Sequence, residues 1–389
     1  MKHQGKIFGL IIITIISSLA LVKVECKRPF EERDFTINNP IVIPLPYDDI
    51  FVEGTNAYTL ENEYSALTIF NVTDPETPLV TGRFGYTPNW CGNIFVNNSL
   101  MFIPTKHQNK MGFEIINCNN PTDIKLFGQF QTELKMELPE GLSSIFVEGK
   151  FAYLAGHRNC PFNGSLIIVD CRDPTNLIEV GRYSSDSPIT NLFVRDRFVY
   201  LLKYYSELEI IDATNVTNPY KVGEWGDCAS GSELYVKDDF VFYADWNEGL
   251  RVIDCNNPVA PLQRSAFNTG KNYPRDIWVS DNNAYLVQSG GLVILDISNI
   301  NDLKKIGKFV PENEGYGEFT NIAVEGDFAY LIKSSYYEDR RLFIIDCSNP
   351  AKPKKLFPEG NAPPLWPYYY EPPNALFYLA IIGGPIILV

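Results

Sequence analysis

Histidine is scarce in this chain, with three in 389 residues, and methionine occurs only four times. Few imidazoles leave few candidates for histidine-based proton transfer or metal ligation. Basic residues are outnumbered, 33 Lys+Arg against 47 Asp+Glu, for a net charge of −14. Setting aside residues 1–26 removes three Lys and one Glu and leaves 30 against 46, or −16. An electrostatic nucleic-acid binder needs a basic face to displace counterions, so nucleic acid is excluded as a partner class. No phosphate-cradling glycine loop, HExxH helix or Ser-His-Asp order is present. Apolar residues, by contrast, make up 45% and aromatics 13%, enough for a packed and β-rich core.

The two ends differ from the middle. Residues 1–26 read as a secretory signal. Lys2, His3 and Lys6 form a positive start, Ile7 to Val22 carries no charge, and Ser18 with Ala20 supplies small residues for cleavage. An uncleaved N-terminal anchor is the alternative. Residues 27–48 form an N-terminal segment whose run 34–44 is a strand candidate for pairing with the last repeat. At the other end, 361–374 is a spacer with five Pro and three Tyr, followed by an uncharged tail of fifteen residues, 375–389. As a helix that tail spans about 22 Å, short of a roughly 30 Å hydrocarbon core. Three readings stay open for it: a cleaved lipid-anchor signal, a short membrane-inserted tail, or an apolar segment packed on the protein. Taken with the leader, all three place the protein outside the cytoplasm, secreted and attached to the cell surface or membrane.

The middle is repetitive. Seven apolar runs end in Asp or Asn, at Asn71, Asn117, Asp170, Asp212, Asp254, Asp296 and Asp346, spaced by 46, 53, 42, 42, 42 and 50 residues. Eleven residues after each comes Gly82, Gly128, Gly181, Gly223, Ser265, Gly307 and Phe357. Prolines recur four and seven residues after the run, as at Pro75, Pro121, Pro258 and Pro261. Ahead of each run lies a hairpin such as FVEGTNAYTL (51–60), FVEGKFAYLA (146–155) or YVKDDFVFYA (235–244). Its Glu-Gly, Asn-Asn or Asp-type turn favours left-handed backbone angles. Each unit of about 44 residues therefore holds four strands, the signature of a propeller blade. The reading is all-β: a seven-bladed β-propeller over residues 49–360, with four antiparallel strands per blade.

The runs 165–181, 249–263 and 291–307, SLIIVDCRDPTNLIEVG, GLRVIDCNNPVAPLQ and GLVILDISNINDLKKIG, resemble the LVIVD repeat family. So do the hairpins Ala152-Tyr153-Leu154, Ala284-Tyr285-Leu286 and Ala329-Tyr330-Leu331. The resemblance extends over all seven units. It implies a β-propeller on exported or surface-attached proteins and transfers no catalytic activity. The first two units depart from the pattern, with Asn71 and Asn117 in place of the strand-end Asp, and the sixth lacks both turn prolines.

Several positions are candidates for chemistry. Three residues before each hairpin valine stand Asp49, Asn93, Ser144, Asn191, Glu233, Asp276 and Asn321, a polar ring at the mouth of the central channel. Oxygen donors there suit a hard cation such as Ca²⁺, with Glu233 and Asp276 as the pair to hold it. A hydrated rim is the plainer reading. After the second strand the sequence varies from blade to blade, and His157, Tyr204, Asp245 and Trp246 there suit a protein or glycan partner. Asp245 equally suits a turn-stabilising role. His107, His157, Cys91 and Cys160 contain zinc-type ligands, though not at finger spacing. Cys118, Cys171, Cys255 and Cys347 share one column with Val72, Ala213 and Ile297, as buried hydrophobes would. Cys91 and Cys160 are the candidates for an inter-blade disulfide. Sequons at Asn97, Asn163 and Asn215 mark candidate glycosylation sites, while Asn71 is a poor acceptor in its strand-end position. The expected function is a non-enzymatic, extracellular or cell-surface scaffold that binds protein or glycan. The alternative is a metal-assisted hydrolase or lyase working at the channel mouth.

Overall fold

The structure, a computed structural model, describes residues 49–356 apart from 62–65, 86–91, 108–109, 136–141, 160–161, 204–207, 227–230, 247, 271–272, 312–317 and 335–340. Every regular element among them is a strand. The strands form seven four-stranded antiparallel sheets, which are blades 1 to 7: Asp49–Gly85, Phe95–Lys135, Leu142–Ser185, Ile189–Trp225, Gly231–Phe267, Pro274–Phe309 and Glu318–Lys355. Each blade takes its four strands consecutively from the chain. The leader, the 34–44 run, Cys91, Cys160, Tyr204 and the C-terminal tail lie outside the described residues.

A lone meander with two apolar faces cannot cover either. Here seven hydrophobic clusters lie between the blades, each drawn from two neighbours. Tyr58, Leu60 and Ile69 of blade 1 meet Ile94, Val96 and Met101 of blade 2. The cluster that closes the ring joins Ala323, Tyr330 and Ile344 of blade 7 to Ile50, Val52 and Ala57 of blade 1. The seven-bladed, all-β expectation is therefore met.

Local chemistry explains each corner. The inner hairpins turn through Asn98 and Ser99 (φ 52° and 57°) or Asp196 and Arg197 (φ 50° and 73°). This left-handed region is where Asn and Asp are least penalised. At the end of all seven third strands, the Asp or Asn Oδ1 accepts the N–H two residues on, at 2.7 to 3.0 Å. Asn71 and Asn117 serve as well as Asp because the turn needs only one acceptor oxygen. A second turn of the same kind follows, as where Asn215 accepts from Thr217 N at 3.2 Å.

The glycine column has a steric cause. A Cβ on Gly181 would overlap the carbonyl oxygen of Val216 in the next blade, and one on Gly223 would overlap that of Pro258. The outer strand of one blade thus rests on the turn of its neighbour. A bulge precedes this contact, since Ile168 pairs with Gly181 but Val169 pairs with Glu179. In blade 5 the Ser265 hydroxyl uses the same approach to donate to the carbonyl of Ile300.

The cysteine column is packing. Cys118, Cys255 and Cys347 are buried, and Cys171 is partly so. Burial pushes all four thiols up to about 12.

Candidate functional site

The antiparallel meander gives the propeller two unlike faces. One holds the two-residue inner hairpins and the seven repeated Asp/Asn turns. The other holds the links between second and third strands and between successive blades. Within the blades these links run from two residues at 289–290 to six at 335–340. The innermost strands start on this second face, and so the polar ring opens there.

The ring lines a central cavity of about 310 Å³. Asp49, Asn93, Ser144, Asn191, Glu233 and Asp276 all contribute to its wall, whereas Asn321 does not. Asp49 Oδ1 accepts from Ile50 N at 2.9 Å, and Oδ2 accepts from Ile94 N of the next blade at 2.6 Å. Asp276 repeats the clamp, accepting Ile277 N and Ile322 N, each at 2.7 Å. Asn321 donates to Asp49 Oδ1 at 3.1 Å and so ties blade 7 to blade 1. Glu233 is longer and reaches into the axis, where Asn191 and Asn93 donate to its two oxygens, Asn93 at 3.5 Å from the far side of the ring.

All three carboxyls are pushed up. Burial raises Asp49 to about 7, against its backbone hydrogen bonds. Burial and then the charge of Asp49 raise Asp276 to about 7. Glu233 goes well above the usual carboxylate range, by burial first and then by the charges of Asp276 and Asp49. Among the described residues, no group of three or more His, Cys, Asp or Glu side chains is placed to hold a metal ion. The Asp49 and Asp276 oxygens are already turned toward backbone amides. A calcium site instead gathers six to eight oxygens on one point.

Below the ring lies a feature that the sequence does not announce. Two residues along each inner strand stand Phe51, Phe95, Phe146, Phe193, Tyr235 and Trp278, and they too line the cavity. Successive rings lie 4.6 to 5.5 Å apart from Phe51 round to Trp278. Blade 7 has Ala323 at this place, and Trp278 spans the gap to Phe51 at 6.2 Å. The signal in the sequence is the aromatic before six of the seven hairpin valines. A strand buried on both faces does not reveal from its pattern which residues face the axis.

The loop-face candidates are dispersed. Asp245 is fully buried, accepts Glu248 N at 2.9 Å and lies 2.9 Å from Arg251 Nε. The Arg251 guanidinium stacks over Trp225 at 5.5 Å. Blade 4 carries the reverse pair at the same six-residue offset, with Lys203 Nζ 3.8 Å from Glu209 Oε1 and 2.9 Å from Asp186 Oδ1. Trp246 is 42% exposed. His157 belongs to the second strand of blade 3, where its backbone pairs with Gly164, but its side chain lies outside the described set. Asn97 and Asn215 lie on the face of repeated turns; Asn163 is in the third strand of blade 3, paired with Arg158 next to the variable link.

No curated protein sequence matches the chain. Among solved structures, the computationally designed Ika8 protein is similar at TM-score 0.55 and 8% identity, over 79% of this chain and 87% of that one. Saccharomyces cerevisiae Sqt1 is similar at TM-score 0.52 and 11% identity, with the same coverages. At such identities the likeness shows the fold alone. The family model described as LVIVD repeat matches residues 142–185, 230–269, 272–309 and 316–357. These matches are in phase with blades 3, 5, 6 and 7, so that one repeat is one blade. Blades 1, 2 and 4 share the turn chemistry without a match, and blade 4 has Val216 where the turn proline would stand. By these four matches the chain carries LVIVD repeats, one to a blade, in a seven-bladed β-propeller.

Proposed function

We propose that this propeller is a non-enzymatic scaffold at the cell surface that binds a protein or glycan on its loop face. The supporting observation is the contrast between the faces. One is the same capped turn seven times over, while every link that changes in length and chemistry lies on the other. A rigid ring that varies on one side suits presentation to a partner. Trp246 and Tyr273, 42% and 53% exposed, are aromatic anchors on that side. The leader-like 1–26 and the apolar 375–389 support export and tethering, and glycans at Asn97 and Asn215 would leave the loop face free.

The test is binding of purified, labelled protein to intact cells, with W246A and Y273A compared against the capped-face variant K352E. The loop-face variants should lose at least about tenfold in affinity, and K352E should bind normally. Equal binding by all three would show that the loop face is not the binding surface. The second reading, a metal-assisted hydrolase or lyase at the channel mouth, has against it the backbone amides that already hold the Asp49 and Asp276 oxygens. Divalent-ion-dependent turnover that E233Q abolishes would establish it.

A further inference from the structure

The central cavity has a wall of one electrical sign. Three carboxyls, Asp49, Glu233 and Asp276, face it, and among the described residues no Lys, Arg or His lines it. Asp49 raises the proton affinity of Asp276, and both raise that of Glu233, and no basic group in the wall relieves this mutual repulsion. Ser144 adds an independent observation. It is 3% exposed and lines the same cavity, yet its hydroxyl makes no hydrogen bond among the described residues. The equivalent residues of blades 1, 4, 5 and 6 each accept the N–H of the next residue. Deeper in, the wall turns aromatic, with Tyr235 and Trp278 at 5.5 Å from one another.

These features select among cations. A bare metal needs oxygens gathered on one point, which the backbone clamps of Asp49 and Asp276 prevent. An ammonium group needs only one acceptor for each N–H, and a carboxylate oxygen that holds one amide keeps a second lone pair. The aromatic depth suits an apolar stem and adds attraction between cation and ring faces. We propose that the channel binds a small organic cation: a primary ammonium on an apolar stem, with its head at the three carboxyl groups and the Ser144 hydroxyl and its stem among the aromatic rings.

The site opens on the loop face but lies inside the channel, on residues other than Trp246 and Tyr273, and its test uses purified protein without a partner. Phenethylamine is the probe, phenethyl alcohol its uncharged counterpart, and Ca²⁺ the metal control. Thermal unfolding at neutral pH should show a concentration-dependent rise in Tm with phenethylamine. Phenethyl alcohol and Ca²⁺ should leave Tm unchanged. The variant E233Q/D276N removes two ionisable carboxyls while keeping size, and should weaken the amine at least about tenfold by calorimetry. S144A should weaken it less. If the double variant does not fold, E233Q alone, which keeps an acceptor for Asn191, reads the same loss. Absence of a shift, an equal shift with the alcohol, a shift reproduced by Ca²⁺, or undiminished binding by the charge variants would overturn the proposal.

Discussion

The Asp49 carboxylate holds the backbone N–H of Ile94, in the next blade, at 2.6 Å. It thereby satisfies an amide that lies ahead of the inner strand of blade 2, and its other oxygen holds Ile50 N and the Asn321 amide. One side chain thus joins three blades. D49A leaves these donors without an acceptor, and should cost about 2 kcal/mol in urea unfolding. An unchanged midpoint would show that the clamp is incidental.

The same carboxyls make stability depend on pH. Asp49 and Asp276 rise from their ordinary 3.8 to about 7 in the folded chain. Between those values the folded state binds protons that the unfolded state has released, so stability falls as pH climbs through the window. Tm at about pH 5 should exceed Tm at about pH 8 by on the order of 5 °C. D276N should flatten the slope. A Tm that rises with pH over this range would contradict the burial of these groups.

Close contact between blades depends on glycine. G181A forces a Cβ into the Val216 carbonyl oxygen, and something must shift. Loss of about 3 kcal/mol or failure to fold is expected. G54A meets nothing within 4 Å and carries only the strain of its φ of +59°, so it should cost about 1 kcal/mol. Equal effects from the two variants would contradict the packing of outer strand on neighbouring turn.

The Asp245–Arg251 pair is a buried charge pair, with Asp245 at 0% exposure. Removing one partner strands the other, so D245A should destabilise by about 3 to 5 kcal/mol. D245L/R251M replaces both and should recover most of that loss. A double variant as unstable as the single one would show that the pair does more than compensate its own burial.

Thiol reactivity provides an independent check on the cysteine column. Cys118, Cys171, Cys255 and Cys347, all pushed to about 12, should resist iodoacetamide near pH 8 in the native protein and react once it unfolds. Peptide mass spectrometry reads each site separately, and labelling of the native protein at any of the four would contradict its burial.

Seven units, four strands each, and the inner position of the polar residues are all legible in the sequence, because each is a periodic fact. Asn71 and Asn117 look like departures there and prove equivalent in the fold, since the turn uses only an oxygen. Three features need coordinates. The aromatic iris depends on which way Phe51 and its counterparts point in a strand buried on both sides. The union of Asn93 with Glu233 crosses the axis, a distance no repeat spacing encodes. Arg251 reaches Asp245 diagonally between strands, since its direct pairing partner is Tyr243. The six-residue offset shared with Lys203 and Glu209 is the only hint.

Whether the ring closes on itself is decided by diffraction from crystals of the protein, at a resolution that separates strands. Seven four-stranded sheets around one axis are expected, with Asn321 of the last blade donating to Asp49 of the first. A different number of blades, or a gap between the first and the last, would contradict the closed propeller and every site placed on it.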